Sequence, residues 1–315
     1  MTINKMTLTQ ADKYQTTIYL YLTGNDDIKG SVVILHGMAE HHERYVKFAE
    51  FLCDNGYDVY MYDHRGHGTD KKFEELGHFA DKGGYKLVVD DAISLLQYVK
   101  AVGRGSKLIL FGHSMGSLIA RNVIAQCDLM DETIICGTAH MGGLISTAGL
   151  FLADVVKLFK GAHHYSPFLA NLTTGYKDFA RISDRTAFDW LTRDNYIVGS
   201  YINDPYCGYL CTAAFYHDLI KLTQVASSSK AIKKVRRDMP MLIISGSHDP
   251  VGGYGAGVSK YFALLQKYGF TKSDCTIYEE CRHELLNELN SDVVMKDILG
   301  WLDSNNNDDN IKSEE

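Results

Sequence analysis

The pentapeptide Gly-His-Ser-Met-Gly at residues 112–116 is the feature that most constrains the fold of this chain. An apolar run at residues 108–111 predicts a buried strand before it, and apolar residues at helical spacing over 117–125 predict a helix after it. A strand that turns sharply into a helix through Gly-x-Ser-x-Gly exposes the serine to a base and to backbone N–H groups. Ser114 is therefore a candidate nucleophile; the alternative is a glycine-rich turn with an incidental serine.

A carboxylate and a histidine follow later in the chain, each after a predicted strand. Residues 241–244 are apolar and lead to Asp249, and residues 275–278 lead to a loop that contains His283. Open α/β sheets place their sites at the carboxyl ends of the strands. There His283 would take the serine proton, while Asp249 would fix the imidazole tautomer and stabilise the imidazolium. The alternatives are an Asp-Pro turn at Asp249 and a surface histidine at His283.

An oxyanion on the substrate would need two N–H donors, and the sequence offers two candidates. The first is the N–H of Met115, the residue after the candidate nucleophile. The second follows residues 32–35, a continuous apolar run typical of a strand buried on both faces. The turn after this run contains Gly37 and Met38, and the N–H of Met38 is the second candidate donor. The alternative is a simple glycine turn at Gly37.

Several separated motifs resemble the monoacylglycerol lipase and lysophospholipase-like group of α/β-hydrolases, a serine aminopeptidase-type family, in its bacterial form. The resemblance spans about residues 19–302, and its motifs lie at residues 36–45, 63–68, 112–117, 189–194, 204–208, 249–252 and 282–288. Thr69, Glu280 and Cys281 depart from the family's pattern. These departures leave the three candidate catalytic residues intact but bear on the shape and charge of the wall beside His283.

The resemblance implies a serine carboxylester hydrolase that cleaves lipid monoesters, such as monoacylglycerols or lysophospholipids, through an acyl-enzyme, with no cofactor and no metal. It also implies that Glu40, Arg44 and His113 lie near the alcohol end of the ester. The alternative for Glu40 and Arg44 is a structural ion pair that stabilises the first catalytic loop. Other functions left open are a short-chain or aryl-ester carboxylesterase, an aminopeptidase, and a non-catalytic binding protein on the same fold.

Strand and helix patterns alternate along the chain, which predicts an α/β-hydrolase fold with a mainly parallel central sheet flanked by helices. The alternation stops between about residues 143 and 238, a gap too long for a simple loop. We therefore expect a core of residues 1–142 and 239–303, a helical cap inserted at 143–238, and a disordered polar tail at 304–315. The expected elements include a hairpin at 5–9 and 17–21, strands at 32–35, 58–62, 108–111, 134–137, 241–246 and 275–278, and a last helix at 285–302.

The first part of the predicted cap, residues 150–159, is apolar on nearly all sides. Either it packs inside the cap, or it forms a lid with Phe151, Val155 and Phe159 outermost that touches lipid aggregates or lines an acyl channel. Aromatic residues of the cap could line an apolar pocket or pack on each other: Tyr165, Phe168, Tyr176, Phe188, Trp190, Tyr196, Tyr201 and Tyr206. The expected partners are a small-molecule ester and, transiently, lipid aggregates; the oligomeric state is left open.

The composition argues against several other functions. The formal net charge of −7 disfavours a nucleic-acid partner, which needs a basic face. The seven cysteines are an odd number without zinc-type spacing, which is typical of reduced thiols in the cytosol. The first 15 residues lack the apolar core of a signal peptide, and no apolar run reaches the roughly 18 residues of a membrane span. We therefore expect a cytoplasmic protein.

Overall fold

The computed structural model describes residues 1–313 of the chain, with side chains up to residue 305. Its strands are β1 (Thr2–Thr9), β2 (Gln15–Leu22), β3 (Gly30–Leu35), β4 (Tyr57–Tyr62), β5 (Lys107–His113), β6 (Glu132–Cys136), β7 (Met241–Gly246) and β8 (Ser273–Tyr278). They form one sheet in the order β1-β2-β4-β3-β5-β6-β7-β8. β2 pairs antiparallel with β1 and β4, and every other neighbouring pair is parallel.

The helices connect these strands and cover both faces of the sheet. They are α1 (Val46–Asp54), α2 (Gly84–Val102), α3 (Met115–Val123), α4 (Gly143–Lys160), α5 (Pro167–Thr174), α6 (Asn195–Asn203), α7 (Ala213–Ala226), α8 (Ser229–Ile232), α9 (Ala256–Lys267) and α10 (Ser291–Ser313). Single 3-10 turns occur at His42–Tyr45, Phe73–Glu75, Lys177–Arg181 and Leu285–Asn287. The predicted α/β-hydrolase fold is confirmed.

The central strands read as continuous apolar runs because they are buried on both faces. In β3, Val33 and Leu35 pack into the layer formed with α2, α3, α7 and α9. Val32 and Ile34 point the other way, into the layer formed with α1 and α10. Successive side chains of a strand alternate between faces, so both layers need apolar residues. This two-sided burial explains why residues 32–35 lack the polar alternation of a half-exposed strand.

The segment between β6 and β7 holds α4 to α8 and no named strand. It begins with α4 at Gly143, the residue at which the sequence predicted that the cap begins, and β7 resumes the sheet at Met241. We call residues 143–238 the insertion. None of the helices within residues 1–313 combines the length and the apolar character needed to cross a membrane.

The end of the chain differs from the expectation in two respects. The last helix begins at Ser291 instead of residue 285, because the Glu288 carboxylate accepts the N–H groups of Arg282 and Leu289 and holds this stretch in a turn. The same helix continues past Leu302, which packs on the core, to Ser313, so residues 304–313 are helical where disorder was expected. Successive backbone hydrogen bonds extend a helix once its first turns are anchored. The remaining two residues of the expected tail lie outside the described residues.

Candidate active site

Ser114 occupies the sharp turn between β5 and α3. Its backbone φ is 53° and its ψ is −119°, a conformation that residues with a side chain rarely adopt. The turn needs glycine nearby, since a β-carbon at Gly112 would lie 2.8 Å from the carbonyl carbon of Gly116. The Ser114 N–H donates to the carbonyl of Cys136 on β6 at 3.0 Å. The predicted strand–turn–helix is therefore present, and it fixes Ser114 at the carboxyl edge of the sheet.

The structure brings Asp249 and His283 together beside this turn. His283 Nδ1 lies 3.0 Å from both carboxylate oxygens of Asp249, and both residues are buried. Burial opposes ionisation of Asp249, but the charge and the hydrogen bond of His283 outweigh it and hold the pKa of Asp249 below its ordinary value. The carboxylate accepts the Nδ1–H of His283, and when the ring is neutral this bond places the lone pair on Nε2.

That lone pair is free to act as a base. His283 Nε2 is buried and has no hydrogen-bond partner among the described residues. Buried nitrogen atoms of this kind are rare in structures and call for an explanation. His283 and Ser114 line the same cavity, so a substrate there would meet both side chains.

The two candidate oxyanion donors also lie beside Ser114. β3 pairs with β5 in parallel, which places the turn after β3 next to the turn after β5. Met38 and Met115 both line the cavity. The N–H of Met115 opens α3 and has no acceptor within that helix. A β-carbon at Gly37 would lie 3.2 Å from Cβ of Ser114, which shows how closely the two turns approach.

A buried carboxylate holds the turn after β3 in place. Glu40 Oε1 accepts the N–H of Gly37 at 2.5 Å and the hydroxyl of Tyr45 at 2.8 Å. Its other oxygen accepts from Arg44 at 2.6 Å. His113 Nδ1 lies 2.8 Å from the Tyr45 hydroxyl and 3.4 Å from Glu40. Glu40 and His113 reach the cavity wall, yet their polar atoms are already engaged within the protein.

The resemblance predicts that Arg44 lies beside the alcohol of the substrate. In the structure its guanidinium binds other residues of the protein instead. Its guanidinium donates two hydrogen bonds to Glu284 as well as one to Glu40, and it stacks over the ring of Tyr201. It is not among the described residues that line the cavity. This geometry favours the alternative interpretation of Glu40 and Arg44 as an ion pair that stabilises the first catalytic loop.

Backbone groups of the insertion hold the loop that carries His283. The N–H of His283 donates to the carbonyl of Trp190 at 3.3 Å, and the N–H of Glu284 donates to the carbonyl of Leu191 at 2.7 Å. Arg282 donates to the carbonyls of Asp189 and Thr192. The Trp190 ring also lies 5.1 Å from the His283 ring. The sequence does not predict these contacts, although both of the segments that make them, 189–194 and 282–288, carry motifs of the family.

The cavity has a volume of about 710 Å³ and a mainly apolar wall. One side comes from the turns around Ser114 and the other from α4, α5 and α7 of the insertion. The aromatic residues of the insertion divide into two groups. Tyr176, Phe188, Trp190 and Tyr201 line the cavity, whereas Tyr165, Phe168, Tyr196 and Tyr206 lie elsewhere.

Comparison with known proteins decides the family. The Hydrolase_4 family, described as serine aminopeptidase S33, matches residues 26–290. The chain belongs to this family. A monoglyceride lipase homolog of monkeypox virus is 26% identical over 283 residues, which cover 87% of this chain and 89% of that protein. Human monoglyceride lipase is 26% identical over 290 residues, which cover 87% of this chain and 82% of that enzyme.

The solved structures agree with this member of the Hydrolase_4 family in fold. A crystal structure of a thermostable carboxyl esterase from Bacillus coagulans, in complex with glycerol, matches with a TM-score of 0.85 at 24% identity. The match covers 96% of this chain and 99% of that one. The match of the Hydrolase_4 family to residues 26–290 confirms the family resemblance predicted from the motifs.

Proposed function

We propose that this chain hydrolyses carboxylic esters of single-chain lipids, such as monoacylglycerols or lysophospholipids. The observation that carries the proposal is the apolar cavity of about 710 Å³ that Ser114 and His283 share, since a cavity of this size can enclose one acyl chain. The relatives named monoglyceride lipases confirm the predicted class of enzyme, a hydrolase of carboxylic ester bonds. The preference for a lipid monoester is the finer part of the proposal.

In the first half of the reaction, His283 Nε2 takes the hydroxyl proton of Ser114 as the serine oxygen attacks the ester carbonyl carbon. Negative charge develops on the carbonyl oxygen, and the N–H groups of Met38 and Met115 stabilise it. His283 then gives the proton to the departing alcohol, which leaves the acyl group on Ser114.

In the second half, a water molecule takes the place of the alcohol. His283 removes a proton from the water, whose oxygen attacks the acyl carbon, and then returns that proton to the oxygen of Ser114. The fatty acid leaves and the free serine is restored. Asp249 keeps the His283 proton on Nδ1 and stabilises the imidazolium in both halves.

The buried carboxylates disfavour an aminopeptidase, despite the name of the family. An aminopeptidase needs a free acidic group to hold the α-amine of its substrate. Glu40 and Glu284 are the acidic residues that line the described cavity, and Arg44 already pairs with both. A substrate amine would have to displace a buried guanidinium, which is costly.

We also propose that the insertion is a cap whose outer surface touches lipid aggregates. The side of α4 that faces away from the core exposes large apolar side chains: Leu144, Ile145, Phe151, Leu158 and Phe159. Phe151 and Phe159 are exposed, as the lid hypothesis requires, whereas Val155 is only partly exposed; Leu144 and Leu158 are more exposed than either phenylalanine. Ile145 is exposed and also lines the cavity, so the apolar surface continues into the candidate site. Contiguous exposed apolar patches mark sites of interaction with proteins or membranes.

Co-sedimentation with phosphatidylcholine vesicles tests the lipid contact. The native protein should bind, and the double variant Phe151→Ser, Phe159→Ser should lose most of that binding. Val293→Ser on α10 is the matched control, because Val293 is also an exposed apolar side chain but lies far along the chain from the cap. Equal binding of all three proteins, or no binding of the native protein, would refute the contact.

A panel of substrates tests the chemistry and the preference for lipids. It contains p-nitrophenyl esters of C2 to C16 acids, a monoacylglycerol, lysophosphatidylcholine and an aminoacyl-arylamide. Each methylene buried in the cavity is worth about 0.8 kcal/mol, so kcat/KM should rise about fourfold per carbon until the cavity is filled. A maximum at C2 to C4 would instead indicate a short-chain esterase, and cleavage of the arylamide alone would indicate an aminopeptidase.

Labelling with a fluorophosphonate probe tests the nucleophile independently of the substrate. The native protein should react, Ser114→Ala should not, and Ser259→Ala, on the exterior helix α9, should react like the native protein. An unlabelled native protein would favour a non-catalytic binding role.

A further inference from the structure

Three ligand atoms converge on the surface, outside the cavity. His78 and Asp81 lie in the loop before α2, and His163 lies in the loop between α4 and α5. The Nε2 atoms of His78 and His163 lie 3.2 and 2.8 Å from the same oxygen, Oδ1 of Asp81. The two imidazole rings stack with their centres 4.1 Å apart. All three ligand atoms lie within 4.8 Å of one another.

The hydrogen bonds of the neighbouring threonine indicate which nitrogen of His78 carries the proton. The Thr212 hydroxyl donates to the carbonyl of Gly77 at 3.0 Å, so its oxygen is left to accept from Nδ1 of His78, also 3.0 Å away. With the proton of the neutral ring on Nδ1, Nε2 of His78 presents a lone pair toward a carboxylate oxygen.

Two lone pairs that face each other repel unless a proton or a metal ion lies between them. We propose that His78, Asp81 and His163 bind a divalent transition-metal ion such as Zn²⁺ through two imidazole nitrogens and one carboxylate oxygen. Imidazole nitrogen suits zinc, copper and nickel better than magnesium or calcium. The bond from Nδ1 of His78 to Thr212 is the kind of outer contact that orients a ligating histidine. His163 and Asp81 are 71% and 68% exposed, so water can complete the coordination.

The ion would join two parts of the fold. Asp81 and His78 belong to the chain before α2, whereas His163 belongs to the insertion and follows the C-terminal end of α4. Backbone hydrogen bonds already hold this loop, since Ala162 and His164 accept the N–H groups of Ala214 and Ala213. A bound metal adds a link from the end of α4 to the core. None of the three residues lines the described cavity, so the role that follows is stabilisation of the insertion.

Calorimetric titration of the tag-free, chelator-treated protein with ZnCl₂ tests the site. One Zn²⁺ per chain should bind with a Kd of about 10 μM or below, an affinity about a hundredfold above millimolar surface binding. His163→Ala and Asp81→Asn should each weaken binding at least about tenfold, because losing a ligand costs no less than losing an outer contact that orients a ligand, which costs about 10–100-fold. His164→Ala is the matched control and should bind like the native protein. Zinc at about a hundred times its Kd should raise the Tm of the native protein by about 4 °C.

A second group of metal-ligating side chains must be separated from this one. His41, Asp204 and Cys207 also bring three ligand atoms within 4.8 Å of one another. Binding that survives His163→Ala but is lost in Cys207→Ser would place the ion there and overturn the proposal. Equal binding by all variants, or a Kd in the millimolar range for the native protein, would overturn it as well. MgCl₂ in place of ZnCl₂ should leave the Tm unchanged.

Discussion

The guanidinium of Arg44 donates to both carboxylate oxygens of Glu284, at 2.5 and 2.6 Å. Arg44 follows β3, whereas Glu284 is the neighbour of His283 in the loop after β8. The same guanidinium donates to Glu40, which holds the N–H of Gly37. One buried cation therefore ties the candidate oxyanion turn to the loop of the candidate base.

Removal of this cation should destabilise the whole protein. Arg44→Met would leave Glu40 and Glu284 buried without a counter-ion, and losing one partner of a buried pair lowers the free energy of unfolding by about 3–5 kcal/mol. Arg236→Met, at a more exposed pair with Asp128, should change it by less than about 1 kcal/mol. Urea unfolding measures both. A higher KM for Arg44→Met with unchanged stability would instead support the predicted contact of Arg44 with substrate.

The pKa of His113 makes the stability depend on pH. Burial disfavours the charged ring, but the hydrogen bond and charge of Glu40 outweigh it and raise the pKa of His113 above its ordinary value. The folded state therefore binds this proton more tightly than the unfolded state. The stability that this proton contributes is complete below about pH 6.5. It is lost as the pH rises through the pKa of His113 in the folded state.

His113→Gln should remove that part of the pH dependence. We expect the free energy of unfolding of the native protein to fall between pH 6.5 and 9 more steeply than that of the variant, as measured in urea at each pH. His164→Gln should follow the native curve. Parallel curves for the native protein and His113→Gln would show that His113 is not protonated in the folded state.

A methyl group at Gly37 should impair catalysis specifically. The β-carbon of Gly37→Ala would lie 2.5 Å from Oε1 of Glu40 and 3.2 Å from Cβ of Ser114. The turn would have to shift, which would displace the N–H of Met38. Loss of one oxyanion donor lowers kcat by about 10²–10³. The control is Gly199→Ala, in α6 with open space around it. It should keep kcat and add about 0.5–1 kcal/mol to the free energy of unfolding. A normal kcat in Gly37→Ala would contradict the role of the turn after β3.

Loss of the Asp249 carboxylate should lower kcat less than loss of the Ser114 hydroxyl, but far more than loss of a neighbouring side chain. Asp249→Asn cannot hold the His283 proton as an ionised carboxylate does, so kcat should fall by about 10³–10⁴. Ser114→Ala should lower it by about 10⁴ or more, because the three residues act as a unit. Ser245→Ala removes one bond to the same carboxylate and should cost less than about tenfold. Full activity in Asp249→Asn would require another acid partner for His283.

The sequence predicted the parts of the fold that follow from continuous burial. Residues 241–246 form β7 with the predicted bounds, because a strand covered on both faces is apolar throughout. The site residues could be selected for a related reason, since Ser114 and Asp249 follow such strands. His283 follows β8, an edge strand that is only partly buried, and the carboxyl ends of all three strands share one edge of the sheet. The start of the last helix could not be predicted in this way. It depends on Glu288, whose carboxylate bonds the distant Arg193, and a helical pattern does not reveal such a partner.

The contacts of Arg44 and of residues 190 and 191 could not be predicted either. An Arg–Glu pair four residues apart suggested a local pair, and nothing in the spacing indicated that the second partner of Arg44 would be Glu284, 240 residues away. The groups of Trp190 and Leu191 that accept these bonds are backbone carbonyls, which every amino acid has. The residue types at 190 and 191 therefore do not reveal the hydrogen bonds to the loop of His283.

The carbonyls of Trp190 and Leu191 hold the loop that carries His283, so the insertion supports that loop. A chimaera that exchanges the whole insertion for that of a relative would change the cavity wall and the support of His283 at the same time. Loss of activity in such a chimaera would then say nothing about acyl-chain preference. Transplants that leave residues 189–193 and 282–288 as one native unit, and exchange α4 and α5 alone, would alter the wall without touching that support. The boundary between α5 and residue 189 therefore separates an exchangeable part of the cavity wall from the support of His283.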